Sequence, residues 1–67
     1  MIKKNLLRAE LAKKNYSFKD VASWLGISRT AMSRRLNGTV PIDVIEIDII
    51  LSKLNIDRKT AGEIFLG

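Results

Sequence analysis

The chain has 67 residues, a net charge of +5, no cysteine and no histidine. This length suits one small domain, and the composition excludes disulfide bonds, thiolate metal sites and histidine-based catalysis or metal binding. We therefore expect a single domain over residues 1–67 that packing alone stabilises, with no metal site, no cofactor and no enzymatic activity.

The distribution of apolar residues bears on the cellular setting. No apolar run is longer than three residues, and charged residues interrupt the leucines near the N-terminus. This pattern predicts neither a membrane span nor a signal peptide. We expect a soluble protein of the cytoplasm, whose reducing conditions also suit a chain without cysteine.

Charge is divided unevenly along the chain. Residues 1–38 carry nine basic and two acidic side chains, a net charge of +7, whereas residues 39–67 carry three basic and five acidic ones, a net charge of −2. Ordinary solvated lysines would give the same count. The division nevertheless favours one face for a polyanion such as nucleic acid and another face for a different partner.

The first two helices are predicted from apolar spacing and from residues that start or stop helices. The first covers residues 2–14, with leucines on one side and lysines on the other, and Asn15 ends it. Ser17 begins the second as its N-cap, with Asp20 three residues later completing a capping box. Gly26 ends this second helix.

The third helix is predicted over residues 29–36. Ser28 precedes it as the N-cap, and Asn37 and Gly38 terminate it. By helical angle Arg35 lies on the inward side of this helix. We expect its aliphatic stem to cover the edge of the core while its charged head reaches solvent.

Residues 40–54 allow two interpretations. The stretch VPIDVIEIDII alternates apolar and acidic residues, which taken alone indicates a half-buried strand. A helix is favoured because Asp43 and Glu46 have the spacing of a capping box, and Ile42 and Ile47 have that of a hydrophobic staple. A short fifth helix follows, capped by Asp57.

The third helix sorts its polar residues onto one face. A helix, a tight turn at Gly26 and another helix form the helix-turn-helix layout, whose later helix lies in the DNA major groove. At about 100° per residue, polar side chains share one face and apolar ones lie opposite. Arginine matches the acceptors of guanine, and threonine offers a hydroxyl and a methyl group. We therefore expect base contacts from Arg29, Thr30, Ser33 and Arg34.

These features resemble a known family. The run SFKDVASWLGISRTAMSRRLNGT is similar to the helix-turn-helix of the Cro/CI-type (XRE) phage repressors, and the resemblance extends over about residues 7–65. Ala22, Gly26 and the apolar residues around them match the family pattern, as does the ending SRRLNG. The resemblance implies an all-α, five-helix bundle of the lambda-repressor-like type and the same four base-reading residues.

The sequence departs from the family at two positions. Phe18 stands where many members have a glutamine that touches a phosphate, so Ser17 or Lys19 would supply that contact. Arg35 replaces an apolar residue late in the third helix, and Leu36 would take over its packing. For the DNA backbone we expect contacts from Ser17, Lys19, Ser28, Asn37 and Thr39.

The resulting functional prediction is a sequence-specific transcriptional regulator that binds double-stranded DNA. Acting as a Cro-like repressor, it would occupy an operator and exclude RNA polymerase or a competing regulator. The initial methionine and the absence of a second domain favour a complete Cro-type protein over a fragment. The main alternative is a small helical protein-interaction module of the antitoxin or anti-repressor type; membrane-surface binding through the first helix is a weaker one.

A palindromic operator would need a homodimer, at least on DNA, because two recognition helices must enter successive major grooves. With the other apolar residues of the fourth helix turned inward, Ile45 and Ile49 stay on a flank that would ordinarily be polar. We expect these two residues, joined by Phe65 in the last helix, to form the dimer contact. The open alternative is that the fifth helix covers them within one monomer.

Overall fold

A computed structural model describes residues 2–66, and within that range the chain is helical with no strand. The all-α prediction is therefore confirmed, including the helical interpretation of the ambiguous fourth segment. No helix among these residues is long and apolar enough to cross a membrane. The elements are α1 (Lys4–Lys13), α2 (Phe18–Leu25), α3 (Arg29–Leu36), α4 (Val44–Leu54) and α5 (Arg58–Phe65).

Side-chain caps start four of the five helices where the sequence predicts them. The Asp20 carboxylate accepts the Ser17 backbone N–H at 2.8 Å in the capping box of α2. Asp43 and Glu46 form a second capping box at α4, and the Asp57 carboxylate accepts the Thr60 N–H at 2.7 Å before α5. These acceptors satisfy N–H groups that have no partner within the helix.

The start of the chain differs from the sequence prediction. Helix α1 begins at Lys4 rather than at residue 2, and Ile2 packs into the core with 6% of its surface exposed. The Lys3 N–H donates a hydrogen bond to the Ile64 carbonyl of α5 at 2.8 Å. This contact with a distant helix holds the first residues in a non-helical conformation, which the spacing of leucines could not reveal.

The core forms where all five helices meet. Helix α2 packs mainly against α3 and α4, whereas α5 packs mainly against α1. Leu7, Leu11, Ile50, Leu54 and Ile64 are almost completely buried, together with Val21 of α2. Every buried side-chain nitrogen and oxygen in the described range has a hydrogen-bond partner. Because α3 packs mainly against α2, this contact chiefly determines its position.

Candidate nucleic-acid interface

Helix α3 is attached to the domain by one side only. Its inner side buries Met32 and Leu36, which lie four residues apart and enter the core. At its start the Ser28 hydroxyl accepts the Ala31 N–H at 3.1 Å, and Gly26 turns the chain from α2 with a φ of 68°. These supports leave the opposite side of α3 free to contact another molecule.

The exposed side of α3 is polar along its whole length. Six exposed residues make up this side, which we call the α3 face: Ser28, Arg29, Thr30, Ser33, Arg34 and Asn37. At about 100° per residue Thr30, Arg34 and Asn37 lie farthest from the buried Met32 and Leu36. The four residues predicted to read bases are thus brought together on one surface.

The start of α2 extends the α3 face on one side. Phe18 and Lys19 line a shallow cleft of about 140 Å³ together with Arg29 and Ser33. The Arg8 guanidinium lies 5.4 Å from the centre of the Phe18 ring, which fixes the ring at the edge of the core. Lys19, one of the predicted backbone contacts, is exposed beside this cleft. The structure therefore places it next to the base-reading candidates.

The loop after α3 folds back on the helix and positions its polar residues. Gly38 has a φ of 80°, a left-handed conformation that suits glycine. The Arg34 carbonyl then accepts the N–H groups of Thr39 at 2.9 Å and Val40 at 3.2 Å. Asn37 and Thr39 are both exposed. These two residues, both predicted to contact the DNA backbone, are thereby held at the C-terminal end of the α3 face.

The N-terminal segment adds two lysines, whose charge we expect to attract DNA of any sequence. Lys3 and Lys4 line a depression of about 470 Å³ together with Leu36 and Asn37. Both lysines are exposed, so they extend the positive surface beyond the C-terminal end of α3. Sequence spacing could not show this, because the neighbourhood depends on how the first residues pack against the distant α5.

The electrostatics of the α3 face favour an anionic partner. Within residues 2–66 the only ion pairs are Lys13 with Glu10 and Arg35 with Glu46. Arg29, Arg34 and Lys19 therefore have no acidic partner in that range. Residues 2–66 contain no cluster of three or more His, Cys, Asp or Glu side chains that could hold a metal ion. The guanidinium, ammonium and hydroxyl groups of this surface supply positive charge and hydrogen-bond donors.

The structure differs from the expectation that the charged head of Arg35 reaches solvent. Its head is largely shielded from solvent in an ion pair with Glu46 of α4, with Nη2 and Oε2 3.0 Å apart and 17% and 14% of the two side chains exposed. Nε donates to both Glu46 oxygens at 3.0 and 3.1 Å, and Nη1 donates to the Ala31 carbonyl at 3.2 Å. Arg35 thus joins α3 to the start of α4.

Two residues predicted to contact the DNA backbone already serve as helix caps. The Ser28 hydroxyl uses an oxygen lone pair for the Ala31 N–H, and its own O–H stays available as a donor. Ser17 differs, because its hydroxyl donates to the Asp20 carboxylate at 3.3 Å. A phosphate at Ser17 would compete with that carboxylate, which makes Lys19 the stronger backbone candidate at the start of α2.

The structure separates the three residues predicted to form a dimer contact. Ile45 is 71% exposed, whereas Ile49 is half-buried. Phe65 is 9% exposed and belongs to the core, so the idea that it joins Ile45 on an open flank is wrong. Ala61 and Ile64 of α5 are also buried, so Phe65 lies on the inner side of that helix.

Comparisons of the chain with protein-family models, with curated proteins and with solved structures found no match.

Proposed function

We propose that this chain is a sequence-specific DNA-binding transcriptional regulator without catalytic activity. Helices α2 and α3 act as a helix-turn-helix of the lambda-repressor-like type, and α3 enters the major groove of double-stranded DNA. The protein is a Cro-like repressor that works in the cytoplasm by occupying its operator. The observation that carries the proposal is the α3 face, with its two unpaired arginines, its hydroxyl groups and no carboxylate.

The α3 face offers suitable chemistry for reading bases. Arg29 and Arg34 are exposed donors for the O6 and N7 acceptors of guanine. Thr30 and Ser33 lie between them in sequence and add hydroxyl groups. Because α3 is fixed by its buried side and by the Arg35–Glu46 ion pair, these side chains start from a defined position. A rigid support lowers the cost of ordering them on DNA.

The surroundings of α3 offer suitable chemistry for holding the DNA backbone. Lys19 lies beside the N-terminal half of α3, while Asn37 and Thr39 lie at its C-terminal end. Lys3 and Lys4 extend the positive surface beyond that end. Contacts of this kind set the register of a protein on the duplex without reading sequence. Two copies would bind a palindromic operator as a homodimer.

A protein-interaction module remains the second candidate function. The observation that favours it is exposed apolar surface in the C-terminal half, where Val44 is 72% and Leu66 is 87% exposed. A helical partner could cover such a surface. Salt distinguishes the two candidates, since DNA affinity falls steeply with salt as counterions are released, whereas affinity through apolar contact depends on salt only weakly.

Selection of binding sites from a random pool of double-stranded DNA tests the proposal. We expect a consensus sequence to emerge, and the affinity for it to fall steeply as salt rises. Lys19→Gln should reduce the slope of log affinity against log salt by about 1, while Lys53→Gln on α4 should leave it unchanged. Enrichment of no sequence, together with a shallow slope, would disprove DNA recognition.

A further inference from the structure

The Asn37 side chain at the end of α3 is not held by the fold. It is exposed, and the side-chain hydrogen bonds within residues 2–66 do not involve it. Asn37 is the C-cap residue of α3, and Gly38 follows it with a φ of 80°. The carboxamide of Asn37 is therefore free to turn toward the backbone nitrogen of Gly38.

The residue that follows each of the four asparagines separates Asn37 from the others. Leucine follows Asn5, tyrosine follows Asn15 and isoleucine follows Asn55, whereas glycine follows Asn37. Asparagine is a thermolabile residue, because the next backbone nitrogen can attack its side-chain amide. A bulky side chain on the next residue hinders that attack, and glycine has no side chain. Asn37 is therefore the asparagine with the least steric protection.

The turn that contains Gly38 opens at low cost. The Gly38 N–H donates to the Arg35 carbonyl at 3.2 Å, and the Thr39 N–H donates to the Arg34 carbonyl at 2.9 Å. Asn37, Gly38 and Thr39 are all exposed, so opening the turn breaks a few hydrogen bonds but uncovers no buried side chain among them. Helix ends of this kind open locally without unfolding of the domain. In the open turn the Gly38 nitrogen is released from Arg35 and can approach the Asn37 side chain.

We propose that Asn37 is a site of spontaneous deamidation, which progressively inactivates the DNA-binding surface. The Gly38 nitrogen loses its proton and bonds to the side-chain carbonyl carbon of Asn37. The Cγ–Nδ2 bond of Asn37 breaks, and the leaving nitrogen takes up that proton and departs as ammonia. Water then opens the resulting cyclic imide at either of its carbonyl carbons, which gives aspartate or isoaspartate. Water is the only co-reactant, and no oxidation or reduction takes place.

Deamidation places a negative charge where the proposed function needs a positive surface. The α3 face, which contains Arg29 and Arg34 but no carboxylate, gains a carboxylate that is ionised at neutral pH. This charge repels the phosphate that Asn37 is expected to contact. Asn37 also lines the same depression as Lys3 and Lys4, so the new carboxylate offsets their charge toward DNA. The loss of binding rests on the proposed function, whereas the reaction at Asn37 does not.

The test follows the reaction and its consequence separately. The purified chain is incubated for days in mildly alkaline buffer at body temperature, and samples are mapped by peptide mass spectrometry and titrated with the operator selected from the random pool. Asn37→Gln serves as the blocked variant, because its longer side chain cyclises far more slowly. Asn37→Asp installs the product, and Asn55→Asp adds the same charge at an exposed position of the acidic half. Circular dichroism confirms the fold of each variant.

We expect Asn37 to deamidate well before the other asparagines, and operator affinity to fall in parallel, while Asn37→Gln keeps its own starting affinity throughout. Asn37→Asp should bind the operator about tenfold more weakly than the unmodified chain, and Asn55→Asp should stay within about twofold of it. The proposal is overturned if Asn37 reacts no faster than Asn5, Asn15 and Asn55, or if its deamidation leaves operator affinity unchanged. Should the fresh chain bind no DNA, the proposed function fails and the loss of binding with it, and the peptide maps still decide the modification site.

Discussion

Helices α3 and α4 are attached to the domain in the same way but differ on their outer sides. Each begins with a capped turn, and each buries two apolar residues four positions apart, Met32 and Leu36 in α3 and Ile50 and Leu54 in α4. The outer side of α3 carries arginines and hydroxyl groups, whereas that of α4 carries Val44 and Ile45, both more than 70% exposed.

This difference bears on the kind of partner that each helix suits. Burial on the inner side is enough to hold a short amphipathic helix, so it does not determine the outer side. An isolated exposed isoleucine has no particular meaning, but a helix that exposes two β-branched residues in succession departs from the usual solvated surface. The polar outer side of α3 suits nucleic acid, and the exposed Val44 and Ile45 in the first turn of α4 suit a protein.

The Arg35–Glu46 ion pair is where these two regions meet, and breaking it should have the largest effect. Glu46→Gln keeps a side chain that can cap α4 but removes the charge opposite Arg35. We expect the free energy of unfolding, measured by urea denaturation, to fall by about 3 kcal/mol, because the guanidinium is left largely buried without a counterion. Arg35→Met should have a similar cost.

The exposed ion pair on α1 provides a matched control. Lys13 and Glu10 are 2.8 Å apart, but 67% of the Lys13 side chain is exposed. Glu10→Gln should therefore change stability by no more than about 0.5 kcal/mol. Equal losses for Glu10→Gln and Glu46→Gln would mean that the inter-helix pair is no stronger than a surface pair, and that α3 and α4 are held only by apolar packing.

The second prediction compares arginines of the α3 face with a lysine of α4. Arg29→Ala and Arg34→Ala should each weaken binding to the selected operator by about 1–3 kcal/mol and weaken binding to random DNA less, because they face base edges. Lys53→Ala removes one positive charge from the acidic half and should affect both DNAs little. Equal losses on operator and random DNA would show that the arginines contact only phosphate.

Local signals in the sequence were sufficient for most of the fold. Ser28 as a cap, Gly26 as a helix end and the capping box of Asp43 with Glu46 were all predicted, and the bounds of α3 agree at both ends. Each of these interactions spans at most four residues. The polar sorting of α3 was equally accessible, since helical periodicity alone determines which residues share a side.

The errors concern contacts between distant parts of the chain. The sequence pattern predicts a solvated Arg35 head because its partner Glu46 lies eleven residues away on another helix. It predicts too early a start for α1 because Lys3 is held by Ile64 of a distant helix. Periodicity also places Phe65 on an open flank, because it shows the spacing of residues within one helix but not which neighbouring element covers them; in the structure Phe65 belongs to the core. The dimer contact at Ile45 and Ile49 stays a prediction.

The smallest predicted effect concerns Asp57, which caps α5. The backbone N–H and hydroxyl of Thr60 hold the pKa of this carboxyl below its ordinary value of 3.8. A carboxyl with a lowered pKa in the folded state stabilises the fold above pH 3.8, and that contribution is lost as the pH falls through the lowered value.

Asp57→Asn keeps an acceptor for the Thr60 N–H but cannot ionise. We expect it to match the unmodified chain in neutral solution apart from the lost charge interaction, and to lose less stability on acidification, as measured by thermal unfolding between pH 7 and pH 2. Asp57→Ala, which lacks the acceptor, should be less stable than Asp57→Asn throughout. An identical acid dependence for the unmodified chain and Asp57→Asn would show that the cap works through its hydrogen bond alone, with no contribution from its charge.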